Sequence, residues 1–314
     1  MGWFASGSEV VPSLIRPLLV PVESGSVEEL VFRYARLHWT IPVSSGYGRR
    51  LRFLVVDEST GKVMGLIGLG DPVMNLAARD DWIGWSPQQK LTRMQNVLDA
   101  YVLGAVPPYS MLLCGKLIAM LAASDEVRLA FARKYRSSRS LIRRRSSDGR
   151  VALVTTTSAL GRSSVYNRIR FGGETLFKSV GFTKGFGDFH LSDGLYDEIF
   201  HFATNYIEPS YRQERWGAPG FRNRHEVIKK TLSSLGLPSN WRQHGVGREV
   251  FAVPLARNTQ SFLRGEHARL RWSGFPAEGL FAYFRERWLL PRSERDSSYQ
   301  QWSSEAFRIW TRPR

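Results

Sequence analysis

Asp188 and His190 are the two side chains in this sequence whose types and spacing come closest to a catalytic pair. They lie in the segment GFTKGFGDFHLSD, residues 181–193, which is predicted to form strands. Side chains alternate between the two faces of a strand, so residues two apart share a face. A carboxylate that orients an imidazole is a general-base arrangement. The spacing therefore makes Asp188 and His190 candidate catalytic residues, although an Asp-x-His spacing also occurs often by chance.

A second acidic group lies in RDDWIGW, residues 79–85, where two aspartates stand between an arginine and two tryptophans. Paired carboxylates can perform acid/base chemistry or bind a metal, and they also cap helices and pair with arginine. We favour the structural role. A metal-dependent nuclease built on Asp71, Asp80 or Asp81 stays open as an alternative. The sequence has no HExxH or CxxC motif, so it predicts no zinc site.

Positive charge is the strongest property of the composition. The 314 residues contain 44 Lys and Arg against 28 Asp and Glu, a formal net charge of +16. Such an excess attracts polyanions, and nucleic acid is the partner that it favours. The densest run is the segment 133–150, whose arginine side chains can each bind a phosphate with two parallel hydrogen bonds. The predicted nucleic-acid contacts are Arg136, Arg139, Arg143, Arg144, Arg145, Arg162 and Arg168.

The segment TTTSALGRSSVYNRI, residues 155–169, combines hydroxyl side chains, a glycine and two arginines. It matches neither the phosphate-binding pattern GxxxxGK[ST] nor the nucleophile pattern GxSxG. The remaining interpretation is a strand, a glycine turn and a helix capped by Ser163 or Ser164. Because a helix N-terminus can hold an anion, Arg162 beside it could help to bind a phosphate.

Local patterns predict alternating helices and strands. Ser26 with Glu29 opens an amphipathic helix over 26–37, and Ser86 before Pro87 opens another. Two apolar runs that flank a Ser-Thr-Gly-Lys turn predict a hairpin. The glycines of GLIGLGD, residues 65–71, lie inside its second strand, where they would ease a bulge or a close backbone contact. The element order predicts a mixed α/β sheet with helices on both faces.

The composition also predicts where the chain divides and where it resides. A segment rich in Gly, Pro and Arg favours an α/β domain over 1–208, a linker over 209–224 and a mostly helical, basic C-terminal extension over 225–314. A single cysteine, no secretory signal and no apolar run of about 18 residues indicate a cytoplasmic protein without a membrane segment.

Several segments, in their order along the chain, resemble the Druantia protein A family, a bacterial anti-phage defence component. They are GLIGLGDPVMNLAARDDWIGWS, TTTSALGRSSVYNRI and VGFTKGFGDFHLSDGLY, and RDDWIGW is the most specific. The resemblance implies a role in antiviral defence, with other defence-system proteins as partners and a helicase among them. It adds no cofactor, and none is expected.

The same element order is similar to the GNAT acyltransferase fold. In that comparison AYVLGAVPPY is the central strand, and Tyr166 and Asn167 match side chains of its closing unit loosely. GNAT enzymes hold the coenzyme A pyrophosphate with R/Q-x-x-G-x-G/A. This chain instead has PYSMLLCGK, so whether it is an enzyme stays open. The favoured function is nucleic-acid binding, to DNA or RNA, within a defence complex, and the alternatives are a CoA-dependent N-acyltransferase and the nuclease.

Overall fold

A computed structural model describes residues 2–39, 48–139, 146–186, 191, 194–210, 220–221, 223–238, 240 and 243–309. Nine strands lie within these residues: β1 Pro17–Pro21, β2 Arg50–Asp57, β3 Lys62–Gly70, β4 Val97–Ala105, β5 Leu153–Thr157, β6 Arg170–Phe171, β7 Glu174–Thr175, β8 Lys178–Phe182 and β9 Glu249–Pro254.

The described residues also contain ten α-helices. They are α1 Val27–Arg36, α2 Ala77–Ile83, α3 Pro87–Arg93, α4 Cys114–Leu121, α5 Asp125–Tyr135, α6 Gly194–Tyr206, α7 Arg224–Ser234, α8 Thr259–Leu263, α9 Ala277–Phe284 and α10 Leu290–Arg295. A π-helical turn, Arg285–Leu289, joins the last two. None of the helices in the described part of the chain is long and apolar enough to cross a lipid bilayer.

Capping side chains set the starts of these helices as the sequence predicts. The hydroxyl of Ser26 accepts a hydrogen bond from the Glu29 amide at 3.2 Å and begins α1. Ser86 and Gln89 form a reciprocal capping box at α3, with Pro87 in the first turn. Each pair satisfies backbone donors that a helix N-terminus leaves without an intrahelical partner. Both predicted helix starts are confirmed.

Seven strands form one mixed sheet in the order β1-β2-β3-β4-β5-β9-β8. Strands β1 to β4 pair antiparallel, whereas β4 and β5 pair parallel over three residue pairs, from Val97 with Leu153 to Asp99 with Thr155. Strand β9 then pairs antiparallel with β5. The predicted hairpin is β2–β3, and the predicted mixed α/β class is confirmed.

Apolar side chains cover both faces of this sheet. On one face, Phe53 and Ile67 pack in a core with α4 and α5. On the other face, Leu54 and Leu66 pack against Phe32 of α1. Helices therefore lie on both faces, because successive side chains of a strand point in opposite directions and both sets here are apolar.

The glycines of residues 65–71 have the packing role that the sequence predicts. A Cβ atom on Gly65 would lie 2.5 Å from the carbonyl oxygen of Gly104, and one on Gly68 would lie 2.8 Å from the ring of Tyr101. The register between β3 and β4 also shifts after Gly68, as a bulge does. The strand can approach β4 only because these positions carry no side chain.

The helix predicted around 165–169 is wrong, because only a single 3-10 turn, Tyr166–Arg168, forms there. The chain leaves this turn at once for the two-stranded β6–β7 hairpin, whose tip is Gly172 and Gly173, both with positive φ. The Tyr166 ring stacks on Phe177 with centroids 4.9 Å apart. Packing of this ring and the early hairpin turn outweigh the local helical pattern.

The chain divides into two compact units. The first comprises Met1–Gly181 and Glu249–Arg314, and the second is the inserted segment Phe182–Arg248. Within the second, α6 and α7 pack around Leu191, Ile228 and Leu232. The predicted boundaries at 208 and 224 fall inside this second unit. The predicted division into a domain, a linker and an extension stays a prediction.

Candidate nucleic-acid interface

The basic segment 133–150 begins in the last turn of helix α5 and ends before strand β5, and its described residues on either side of 140–145 pair with each other, so we call 136–150 the basic loop. Arg139 and Ser146 form an antiparallel bridge, and the Ser147 amide donates to the carbonyl of Ser138 at 2.8 Å. Arg136 and Arg139 are exposed at the base of this loop. The consecutive Arg143, Arg144 and Arg145 lie outside the described residues. The structure therefore fixes the base of the basic loop and the position of two of its arginines.

A second basic segment, which the sequence reasoning missed, lies between β9 and α9. Its exposed arginines are Arg257, Arg269 and Arg271. The Arg257 amide donates to the carbonyl of Arg271 at 2.9 Å. The side chain of Asn258 closes the same turn, because it accepts from the Arg271 amide at 2.8 Å and donates to the Arg269 carbonyl at 2.9 Å. These bonds bring three arginines together although Arg257 and Arg271 are 14 residues apart in sequence, with α8 between them. We call this group the arginine turn.

Arg150 joins the two basic segments. Its Nη1 donates to the carbonyl of Ala268 at 2.8 Å, directly before Arg269, while its Nε donates to Asp148 at 2.9 Å. On the other side, Gly149 lies so close to Arg136 that an added Cβ would be 2.9 Å from the Arg136 Cα. The loop base and the arginine turn are therefore neighbours. We call their exposed arginines the arginine face: Arg136, Arg139, Arg257, Arg269 and Arg271.

The arginine face carries uncompensated charge. Among the described residues, no carboxylate forms an ion pair with any of its five arginines. The acids nearby pair with other cations: Asp148 with Arg150, Glu266 with Arg264, and Asp125 with Arg128. The inserted unit, residues 182–248, contains nine Lys and Arg against seven Asp and Glu, so nearly all of the excess of 16 charges resides in the first unit. This concentration favours contact with a polyanion.

The comparisons with known proteins add the family. A model of the family described as Druantia protein DruA matches residues 1–265. The Druantia protein DruA of Escherichia coli (strain UMEA 4076-1) is 43% identical over 303 residues, which is 96% of this chain and 75% of that protein. The chain belongs to the DruA family of Druantia anti-phage defence proteins. No solved structure matches it significantly.

In this DruA family member, Arg162 and Arg168 lie away from the arginine face. The basic loop enters β5 at its N-terminal end, whereas Arg162 follows the C-terminal end of the strand. The extended chain from Ala152 to Ser158 spans roughly 20 Å at about 3.3 Å per residue. The structure therefore does not bring Arg162 and Arg168 together with the loop arginines, and their role in binding stays a prediction.

The turn that follows strand β5, around Ser163, already binds a carboxylate of the protein itself, that of Glu249. The carboxylate of Glu249, only 4% exposed, accepts from the Ser163 amide at 3.0 Å, from the Asn167 amide group at 2.9 Å and from the Ser179 hydroxyl at 2.7 Å. Ser163 in turn caps the single turn, because its hydroxyl accepts from the Tyr166 amide at 3.1 Å. The backbone donor that a phosphate would need is therefore bonded to Glu249.

The hydrogen bonds around Ser163 favour the ionised form of Glu249 and so lower its pKa. Burial of the side chain acts to raise the pKa. The hydrogen bonds from Ser179, Ser163 and Asn167, together with the charge of Arg162, outweigh burial and lower the pKa below its ordinary value. Arg162 thus has an internal carboxylate within electrostatic range.

Lys116 adds positive charge to the same C-terminal end of the sheet. The side chain lies early in α4, is 9% exposed, and places its Nζ 5.6 Å from the ring centre of Trp288. Burial lowers the pKa of Lys116, and the charge of Arg168 lowers it further. Two cations therefore lie within electrostatic range of each other here.

Two of the three acidic candidates in residues 71–81, Asp71 and Asp80, have structural partners. Asp71 pairs with Arg49, whose Nε lies 2.7 Å from the carboxylate. Asp80 accepts from Arg79 at 2.9 Å and from Lys90 at 2.7 Å, and Arg79 is completely buried. No group of three or more His, Cys, Asp and Glu side chains that could hold a metal occurs in the described part of the chain. These contacts support the structural role for Asp80, whereas Asp81 is exposed and its role stays a prediction.

The candidate catalytic pair, Asp188 and His190, lies outside the described residues, so its role stays a prediction. The arginine turn could have been found from sequence only by treating the separated arginines of residues 257–271 as one group. No local pattern does this, because Glu266 and His267 interrupt the charge and the turn is closed by long-range hydrogen bonds.

Proposed function

We propose that this chain binds nucleic acid through the arginine face as part of the Druantia defence system. The observation that carries the proposal is the presence of five exposed arginines on two segments that Arg150 joins. Among the described residues, no carboxylate forms an ion pair with any of them. Guanidinium groups bind phosphates bidentately, and contacts of this kind depend on charge and not on base sequence. Arg143, Arg144 and Arg145 add three more positive charges to the same segment of the sequence.

Membership of the DruA family supports a setting among other defence proteins, which we propose as follows. Other proteins of the defence system, with a helicase among them, would act on the same nucleic acid in the bacterial cytoplasm. The arginine face would then hold the DNA or RNA on which such a partner works. Whether the nucleic acid is duplex or single-stranded is an outcome of the binding experiment below.

The experiment is a titration of fluorescent duplex DNA, single-stranded DNA and RNA with the purified chain at several salt concentrations. If the five arginines contact five phosphates of a duplex, log K should fall with log salt at a slope of about −4.5, at about 0.9 per phosphate. Arg257→Ala, Arg269→Ala and Arg271→Ala together should make the slope shallower by about 2.7, because three phosphate contacts are lost.

A matched control removes the same charge elsewhere. Arg16, Arg33 and Lys62 lie at β1, α1 and the start of β3, on elements that form no part of the arginine face. Their combined replacement by alanine should leave the slope within about one contact of the wild-type value, roughly 0.9. Equal losses in both triple variants would show that only net charge matters. Binding without salt dependence would contradict the proposal.

We further propose that the sheet is acyltransferase-like in its connectivity. The strand order β1-β2-β3-β4-β5-β9-β8 and the short parallel β4–β5 pair, whose pairing stops at Asp99 and Thr155, support this proposal. The turn before α4, where coenzyme A would need free backbone amides, instead buries Tyr109 and Leu112 completely. We therefore expect no heat of binding when acetyl-CoA is titrated into the chain, and saturable binding would favour the acyltransferase.

A further inference from the structure

A cleft of about 330 Å³ lies beside the arginine face. Three aromatic residues line it: Trp82, Phe171 and Phe275. The rings of Phe171 and Phe275 meet edge to face, with centroids 6.0 Å apart, and all three aromatic side chains are half-buried. Arg257 belongs both to the cleft lining and to the arginine face. The cleft is therefore a partly aromatic recess at the border of the basic surface.

Charge in this cleft is predominantly positive. Lys178 and Arg257 line it, both are exposed, and neither forms an ion pair with a carboxylate of the described residues. Glu174 is the acidic side chain among the lining residues, and it is also exposed. A ligand that suits this lining has a flat apolar surface for the rings, an anionic group for the two cations, and an N–H donor for the carboxylate.

We propose that this cleft binds one unpaired nucleotide, with its base against the aromatic side chains and its phosphate on Lys178 and Arg257. Aromatic side chains stack on bases of any sequence, and arginine and lysine bind the phosphate. Glu174 can accept a hydrogen bond from an amino group of the base, as carboxylates do from cytosine. The volume matches the lower range of small-molecule sites, which begins at about 300 Å³. The inference deepens the proposed function, because it names the unit of nucleic acid that the border of the arginine face would take.

The test compares three probes: a blunt duplex, the same duplex with one unpaired terminal nucleotide, and free deoxyadenosine monophosphate. We expect the unpaired nucleotide to tighten binding by about tenfold, within the range that base–aromatic stacking provides. Ser273→Trp should abolish that gain, because the side chain of Ser273 lines the cleft and an indole would fill it. Its affinity for the blunt duplex should stay unchanged.

A second variant keeps the test decisive if Ser273→Trp fails to fold. Lys178 lies outside the arginine face, so Lys178→Ala should reduce the gain from the unpaired nucleotide by at least threefold and leave blunt-duplex binding intact. If deoxyadenosine monophosphate binds saturably and both variants weaken that binding, the cleft is a nucleotide site. If the chain then shows no duplex binding, the proposed function fails while the cleft inference stands. A wild-type chain that binds blunt and overhanging duplexes equally and ignores the mononucleotide would overturn the inference and leave the proposed function standing. A gain that survives both substitutions would overturn it as well.

Discussion

Glu249 gives the most quantitative prediction for the fold around the 155–169 segment. Its carboxylate joins β9 to the Ser163 turn and to Ser179 on β8 by three hydrogen bonds of 2.7 to 3.0 Å. Because the side chain is 4% exposed, these donors lose their partner when it is truncated. Each donor left unsatisfied costs about 1–3 kcal/mol. Because Asn167 and Ser179 are exposed and water can replace the carboxylate there, the total should lie at the low end of three such losses. We therefore expect Glu249→Ala to lower the free energy of unfolding by about 3 kcal/mol.

Glu249→Gln should be milder. The amide oxygen can still accept from Ser163 and Asn167, and the Ser179 hydroxyl can rotate to accept from the new amide group. The free energy of unfolding then falls only because the acceptor is no longer charged. Hydrogen bonds to charged groups contribute about 1.5–3 kcal/mol and bonds between neutral groups about 1 kcal/mol, so we expect a decrease of about 1–2 kcal/mol. The expected order of stability is wild type, then Glu249→Gln, then Glu249→Ala.

Urea denaturation followed by tryptophan fluorescence measures these differences. The pKa of Glu249 is lowered in the folded state, so the ionised carboxylate stabilises the fold at pH values above the unfolded pKa of about 4.3. The gap between wild type and Glu249→Gln should thus be constant above about pH 5.5 and narrow as the pH falls below about 4. Glu58→Gln, at an exposed position, is the control and should be neutral. A Glu249→Ala variant as stable as wild type would refute the reasoning.

Two further predictions concern buried groups. Arg79 is completely buried and donates to the carbonyl groups of Val73 and Met74 and to Asp80. Arg79→Met should therefore destabilise the chain by about 3–5 kcal/mol in thermal or urea unfolding. Arg79→Lys should not restore stability, because an ammonium cannot reproduce the three directions of a guanidinium, and full rescue by lysine would contradict this account. Burial raises the pKa of the Cys114 thiol far above its usual range, so a thiol reagent at pH 8 should label it only after denaturant is added, and rapid labelling of the folded chain would show that the α4 core is open.

The sequence contains enough information for the local elements. The helix starts at Ser26 and Ser86 and the β2–β3 hairpin follow from capping residues and turn signals within a few residues of each other. The structural roles of the β3 glycines and of RDDWIGW were also predictable, because Arg, Asp and Trp side chains in such proximity pair readily. Contacts between residues that are close in sequence determine these caps, this hairpin and these ion pairs.

Features that depend on distant residues could not be predicted. Glu249 lies 82 residues from Asn167 and becomes its partner only because β9 inserts beside β5. That contact, with the stacking of Tyr166 on Phe177, replaces the predicted helix by one turn. The arginine turn likewise requires Arg257 and Arg271 to meet across a bridge. Charge density in the sequence indicates a polyanion partner, whereas the placement of the charges depends on tertiary contacts.

Photo-crosslinking tests the location of the proposed interface most directly. The chain would be irradiated with a duplex or strand that carries photoreactive bases, digested, and the crosslinked peptides identified by mass spectrometry. Our account predicts crosslinks to peptides that contain residues 133–150 and 257–271, lost when the five arginines of the arginine face are changed to alanine. Crosslinks confined to the inserted unit, residues 182–248, or to α1 would contradict it.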